Sequence, residues 1–136
     1  MQQVLDRYGG QYETDPRILE VLIDLDKDGH EETGRVLFYL HMASDGRVPV
    51  DTEVEQGDPI GYPSCEGGFS ESSHLHLARK YNGEWIAADG PLPFILSGWQ
   101  VHSSGTDYDG TMTRDGQTCT ASESWDPQVN GLTADR

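Results

Sequence analysis

The sequence has few of the residues that bind nucleic acid and none of the segments that cross a membrane. Lysine and arginine total 9 against 24 aspartates and glutamates, so the 136-residue chain has a formal charge of −15. Nucleic acids and anionic membranes attract positive charge, and neither is expected as a partner. No run of 18 apolar residues is present, so we expect no transmembrane helix. The acidic surface favours solubility, a cationic partner or bound metal ions.

Cysteine is scarce, and no export signal is visible. Cys65 and Cys119 are the only cysteines. They are compatible with one disulfide or with two free thiols, and they do not form a Cys-x-x-Cys zinc motif. The first residues lack the basic and apolar regions of a signal peptide.

Apolar residues are also few, and turn formers are frequent. Hydrophobic residues make up 35% of the chain, which also has 16 glycines and 7 prolines. This composition predicts short strands joined by turns, in a mainly β fold with an antiparallel sheet. We expect a polar segment over 1–17, a β domain over 18–102, and a polar, partly disordered extension over 103–136.

Three segments define the predicted secondary structure most closely. The apolar run Ile18–Ile23 reads either as a buried strand or as one short N-terminal helix that Asp15 and Pro16 would begin. Asn82-Gly83 predicts a tight hairpin, because both residues tolerate positive φ. Arg114–Gln117 lies between two Thr-containing segments and predicts a second, smaller hairpin.

A pair of histidines is the main candidate site. His74 and His76 alternate with leucines in a strand-like run. Side chains two apart on a strand share a face, so the two imidazoles should lie side by side. Such a pair suits metal ligation and proton transfer. His41, at the end of the predicted strand Val36–Met42 and expected on the same face as Tyr39, would add a third imidazole.

The ordered motifs resemble one known family, the lysostaphin/LytM-type zinc endopeptidases, over about residues 36–88. The resemblance depends on their order and spacing together. The matching segments are Tyr39-Leu40-His41, Gly57-Asp58-Pro59-Ile60-Gly61, the following Gly/Ser loop, His74-Leu75-His76-Leu77 and Asn82-Gly83.

This resemblance implies a hydrolase that acts on cross-linking or glycine-rich peptides of bacterial cell walls, in an extracellular or periplasmic location. It implies that His76 is a zinc ligand, that His74 is catalytic, and that His41 holds the attacking water and the developing oxyanion. Zinc would polarise the carbonyl and acidify its water.

The chain departs from the family in one respect. Family members carry an upstream His-x-x-x-Asp that supplies two further zinc ligands. Only His30 precedes His41, and the residue four positions after it is Gly34. Catalytic zinc sites use about three protein ligands, so the predicted domain is truncated or degenerate. A partner chain, a second copy, or Asp24 or Glu66 would have to complete the site. The alternative function is a non-catalytic module that binds peptide or peptidoglycan.

A second candidate site lies in an acidic loop. Asp24, Asp26 and Asp28 alternate and are followed by Gly29, as in the first half of an EF-hand calcium loop. The twelfth position should be glutamate and is Arg35. The loop therefore predicts either a calcium site or a solvated acidic turn between two strands.

Overall fold

The computed structural model describes residues 2–5, 20–67, 70–124 and 126–134. The chain divides into two compact units, residues 1–85 and 86–136. Each unit contains an antiparallel sheet, which confirms the mainly β fold class. The elements are β1 Gln2–Leu5, β2 Glu20–Asp24, β3 Arg35–Leu40, β4 Glu53–Val54, β5 His76–Tyr81, β6 Glu84–Trp85, β7 Ile95–Leu96, β8 Trp99–Ser103, β9 Gly110–Arg114, β10 Gln117–Thr120 and α1 Pro127–Asn130.

The first unit is a six-stranded sheet in the order β4-β1-β2-β3-β5-β6. Strand β2 lies inside this sheet between β1 and β3, and Val21, Leu22 and Ile23 are all buried. Burial on both faces explains why this run is continuously apolar rather than alternating. The strand interpretation is therefore correct for residues 20–24, whereas the proposed helix start at residues 15–16 lies outside the described residues.

One face of this sheet carries the apolar core. Val21 pairs with Tyr39 and Ile23 with Leu37, so these side chains share a face. They pack with Met42, and the rest of the cluster comes from β4 and neighbouring segments. Its further members are Val54, Leu25, Val48 and Ile60. The opposite face includes Leu40, and Leu40 pairs directly with His76 of β5.

The predicted hairpins are present. Asn82 and Gly83 have φ of 48° and 78° and join β5 to β6, as a type I′ turn requires. Asp115 and Gly116 have φ of 49° and 78° and join β9 to β10. The Ser97–Gly98 turn between β7 and β8 has the same positive φ values and was not predicted. Its Ser-Gly pair was the available signal.

One apolar segment next to the core stays outside the sheet. Pro59–Tyr62 forms no ladder, although Ile60 and Tyr62 each accept a backbone hydrogen bond, from Val48 and Ala43. Pro59 and the following Pro63 have no N–H, so this segment cannot donate at regular intervals.

The second unit contains a four-stranded sheet in the order β10-β9-β8-β7. Part of the predicted polar extension, residues 110–120, therefore belongs to a regular sheet, in which β9 pairs with β8 and β10 pairs with β9. The predicted disorder of the chain end stays a prediction. Across the described ranges, no helix has the length and apolar character needed to cross a membrane.

Candidate metal centre

Three imidazoles from two segments that are distant in the sequence converge in the first unit. The ring centroids of His41 and His74 are 4.4 Å apart, those of His41 and His76 are 5.0 Å apart, and those of His74 and His76 are 4.8 Å apart. Each ring offers a nitrogen within 4.8 Å of the other two. Within the described residues, no carboxylate or thiol joins this imidazole group.

Strand β5 positions two of the rings. It begins at His76, two residues later than the sequence predicts, because His74 instead forms an isolated bridge with Ser64. The backbone is still extended, so the two side chains share a face, and their Nε2 atoms are 3.0 Å apart. The predicted pairing of His74 and His76 is therefore correct.

His41 reaches the group through a change of backbone conformation. A strand continued through residue 41 would place this ring on the core face with Tyr39, opposite His76. His41 instead has φ 67°, in the left-handed region that non-glycine residues seldom adopt. The alternation shifts by one residue, and Met42 takes the core position. The expectation that His41 shares a face with Tyr39 was therefore wrong, whereas its convergence with the histidine pair was right.

The segment 64–66 holds His41 in this conformation. Ser64 donates to the His41 carbonyl from its backbone N–H at 2.8 Å and from its hydroxyl at 3.0 Å. The Glu66 carbonyl accepts a hydrogen bond from His41 Nδ1 at 2.8 Å. Because strained conformations persist only where the surroundings determine them, these three bonds explain how a buried histidine keeps positive φ.

A second backbone carbonyl orients His74. Its Nδ1 lies 2.8 Å from the Ser72 carbonyl oxygen and 3.1 Å from Ser70 Oγ. The Ser70 hydroxyl donates to the same Ser72 carbonyl, so its oxygen is free to accept from the ring. A carbonyl oxygen only accepts, and therefore Nδ1 of both His41 and His74 carries hydrogen.

The electrostatics of the group favour a neutral His76. Desolvation is the main cause that lowers the pKa of His76, and the electrostatic effect of the neighbouring His74 and His41 rings lowers it further. Desolvation has the larger effect on this pKa, although the residue as a whole is exposed, because its Nε2 faces the other two rings. Neutral imidazole is the form that binds metal.

The group is open on one side. His41 is only 3% exposed, His74 is half-buried and His76 is exposed. The site therefore has a buried floor and a solvent-facing edge, at which a water molecule or a substrate has access.

The acidic loop brings its three carboxylates together. Asp24, Asp26 and Asp28 each offer an oxygen within 4.8 Å of the other two. Asp24 is fully buried and accepts hydrogen bonds from the amides of Asp26, Lys27 and Gly29, at 3.1, 3.0 and 2.8 Å. Asp28 accepts from the His30 amide at 2.8 Å and from the Thr33 hydroxyl.

The pKa values of two of these carboxyl groups shift in opposite directions. Burial alone would raise the pKa of Asp24, but the hydrogen bonds of the loop, that of Gly29 foremost, outweigh it and lower this pKa. The hydrogen bond with Asp24, followed by desolvation, raises the pKa of Asp26 above its usual value. On acidification Asp26 is therefore the first of the pair to take up a proton. Its carboxyl group folds over Gly34, where a Cβ would overlap it.

Neither residue named as a substitute ligand joins the imidazole group. Asp24 belongs to the acidic loop, and the Glu66 carboxylate accepts a hydrogen bond from the Ser44 amide at 3.2 Å. Glu66 instead contributes its carbonyl, a role that carries no sequence signal because every residue has one. Cys65 and Cys119 are free thiols.

Comparisons with family models, with curated proteins and with solved structures give no match for this chain. The relation to lysostaphin-type endopeptidases therefore stays a hypothesis drawn from the motifs. The geometry of the imidazole group does not depend on it.

Proposed function

We propose that this chain is a zinc-dependent peptidase-like domain directed at bacterial cell-wall peptides. The observation that carries the proposal is the convergence of His41, His74 and His76 with their ring nitrogens within 4.8 Å of one another. The peptide substrate and an extracellular or periplasmic location come from the motif resemblance alone.

The imidazole group fits zinc by its donor chemistry. Neutral imidazole nitrogen is a preferred zinc ligand, and catalytic sites keep one position open beside three protein ligands. Ligating histidines commonly donate their other ring N–H to a carbonyl or carboxylate, as His41 and His74 do here. When bound, zinc would supply a Lewis acid for a peptide carbonyl and an acidified water.

The chain's own groups would then position the substrate. His41 lies at the buried floor and is held by the Glu66 carbonyl, so it keeps its orientation while a peptide enters. His76 is exposed, so the edge at His76 is the side from which a peptide would approach. Groups held in fixed positions near the reacting carbonyl need little reorganisation during reaction.

The test is zinc content together with cleavage. The full chain, freed of metal and then given one equivalent of zinc, is expected to retain the metal through dialysis and to cleave a fluorogenic glycine-rich peptide. The matched control is His30→Ala, because His30 is an exposed histidine outside the group. Zinc that washes out equally from wild type and His76→Ala would overturn the proposal.

A non-catalytic module that binds wall peptides is the second candidate. The absence of a carboxylate ligand from the described part of the imidazole group favours it, since the family sites that the motifs resemble include one. This function predicts retained zinc and saturable peptide binding without cleavage. Cleavage that appears only after a second chain is added would instead indicate a complementing partner.

A calcium site at the acidic loop is a separate proposal. The convergence of Asp24, Asp26 and Asp28, each with a carboxylate oxygen within 4.8 Å of the other two, supports it. Hard oxygen ligands suit calcium, although the set is incomplete at three. Its role would be structural, and its test is the thermal melt described in the Discussion.

A further inference from the structure

We infer that His41, His74 and His76 are all ligands of one divalent metal ion, each through Nε2, with one coordination position left open. This inference rests on the proposed zinc function and differs from what the motif resemblance implies, in which only His76 binds metal and the other two histidines act on water.

The first argument is the number of ligands. A catalytic zinc ion takes about three protein ligands, and a single imidazole does not hold it tightly. In the described part of the chain, no carboxylate or thiol joins the imidazole group. A metal held there by described residues therefore needs all three rings.

The second argument is orientation. Nδ1 of His41 donates to the Glu66 carbonyl at 2.8 Å, and Nδ1 of His74 donates to the Ser72 carbonyl at the same distance. In a neutral imidazole the other nitrogen then carries the lone pair. Both Nε2 atoms are thus ligand atoms already in the required tautomer. Ser70 adds a second acceptor at His74 Nδ1 and is a positioning residue.

The third argument is spacing. Two nitrogens bound to tetrahedral zinc at ~2.0–2.1 Å are about 3.3–3.4 Å apart. His74 Nε2 and His76 Nε2 are 3.0 Å apart. They would need to move apart by only a few tenths of an ångström to reach the spacing of two zinc ligands. The third ring nitrogen, from His41, lies within 4.8 Å of both.

The same contact predicts a change of tautomer. Because His74 Nε2 carries the lone pair, His76 Nε2 must donate the hydrogen that joins them in the metal-free protein. Metal binding through His76 Nε2 requires that this hydrogen leave Nε2. A hydrogen from solvent must then bind to Nδ1 of the same ring. The ring stays neutral, no net proton is released, and solvent can carry the exchange because His76 is exposed.

The decisive experiment is histidine nitrogen NMR of the full-length chain titrated with zinc at neutral pH. Before zinc, His41 and His74 are expected with hydrogen on Nδ1, and His76 with hydrogen on Nε2. After one equivalent, all three should carry it on Nδ1, and all three Nε2 resonances should shift to metal-bound values. Unshifted Nε2 resonances of His41 and His74 would overturn the inference.

Variants separate ligation from structure. Asparagine at position 41 or 74 places an amide N–H near the former Nδ1, so it can keep the carbonyl bond while removing Nε2. Asparagine also tolerates the φ of 67° at position 41. We expect His41→Asn, His74→Asn and His76→Gln each to weaken zinc binding more than about 100-fold, beyond the 10- to 100-fold typical of outer-sphere partners. His30→Ala is the control, and circular dichroism reports folding.

The outcomes also separate this inference from the proposed function. If only His76→Gln weakens binding, the three-ligand assignment is wrong while the zinc function stands. If the wild-type chain takes up no zinc, both fail. If folded His41→Asn and His74→Asn each lose zinc as His76→Gln does, the assignment is supported without any measurement of activity.

Discussion

The imidazole group and the acidic loop use the hydrogen-bonding capacity of their side chains in opposite ways. In the acidic loop the carboxylate of Asp24 accepts three amide hydrogen bonds from its own loop, so much of its acceptor capacity is already used. In the imidazole group, His41 and His74 place their N–H on carbonyls outside the group, and their lone pairs remain inside it. The first arrangement stabilises a turn, and the second leaves ligand atoms available.

The difference also concerns distance along the chain. Asp24, Asp26 and Asp28 lie within five residues and need only a local turn to meet. His41 and the pair His74/His76 come from segments more than thirty residues apart and meet only when β3 and β5 pair. A group that long-range packing holds open for a ligand is a stronger functional candidate than one that its own backbone closes.

The largest expected effect is loss of metal from the imidazole group. His76→Gln should weaken zinc binding more than about 100-fold, since it removes an inner ligand rather than an outer partner. Asp26→Asn should leave zinc affinity within about twofold, because Asp26 belongs to the other group. Competition with a chromophoric chelator measures both. Equal losses in the two variants would show that the groups do not act separately.

The next effect is on stability, at the acidic loop. Asp24→Ala removes the acceptor of three amides at a buried position, and each unsatisfied donor costs about 1–3 kcal/mol where water cannot replace it. We expect the free energy of unfolding to fall by about 2–3 kcal/mol in a urea titration. Asp28→Ala, at an exposed carboxylate of the same loop, should cost less than about 1 kcal/mol.

This stabilisation should depend on pH in a defined direction. The native pKa of Asp24 is lower than its ordinary value, so the native state favours the ionised carboxylate. The contribution is fully present above about pH 4, the pKa of an unfolded aspartate, and is lost as pH falls through the lower native pKa. The stability difference between wild type and Asp24→Asn should therefore narrow below pH 4. A difference that grows on acidification would contradict the assigned ionisation.

Gly34→Ala is expected to have a smaller effect. The residue has φ 60°, and an added Cβ would overlap the Asp26 carboxyl group, which must then move. Replacing glycine by alanine stabilises the folded state by up to ~1 kcal/mol through the entropy of the unfolded chain, but the strain of alanine at positive φ is larger. We therefore expect the free energy of unfolding to fall by about 1–2 kcal/mol. Gly29→Ala is the matched control, because its φ is 79° with no atom within 4 Å of the added Cβ. Equal losses in both variants would mean that the contact with Asp26 contributes nothing.

The smallest expected effect is that of calcium on thermal stability. An incomplete loop should bind in the millimolar range, where 1 mM calcium adds about 0.4 kcal/mol and raises Tm by ~2 °C. Asp26→Asn should abolish the shift, whereas His76→Gln should not. An unchanged Tm in wild type at 10 mM calcium would remove the calcium proposal and leave a solvated acidic turn.

Several features of the fold were predictable because they depend on local chemistry. The hairpins at Asn82-Gly83 and Asp115-Gly116 follow from residues that tolerate positive φ. The common face of His74 and His76 follows from the period of an extended chain. The apolar run at 20–24 was ambiguous, because a buried strand and a buried helix look alike until the neighbours that cover both faces are known.

The sequence by itself determined a mainly β chain with tight turns, a paired set of imidazoles and a cluster of carboxylates, because these depend on residue type and on spacings of a few residues. Only the tertiary structure decided that His41 leaves the strand at positive φ to join that pair, and that the carbonyls of Glu66 and Ser72 orient the rings. Backbone carbonyls are the same in every residue. Their position, and therefore the lone pairs directed into the group, depends on how distant segments pack.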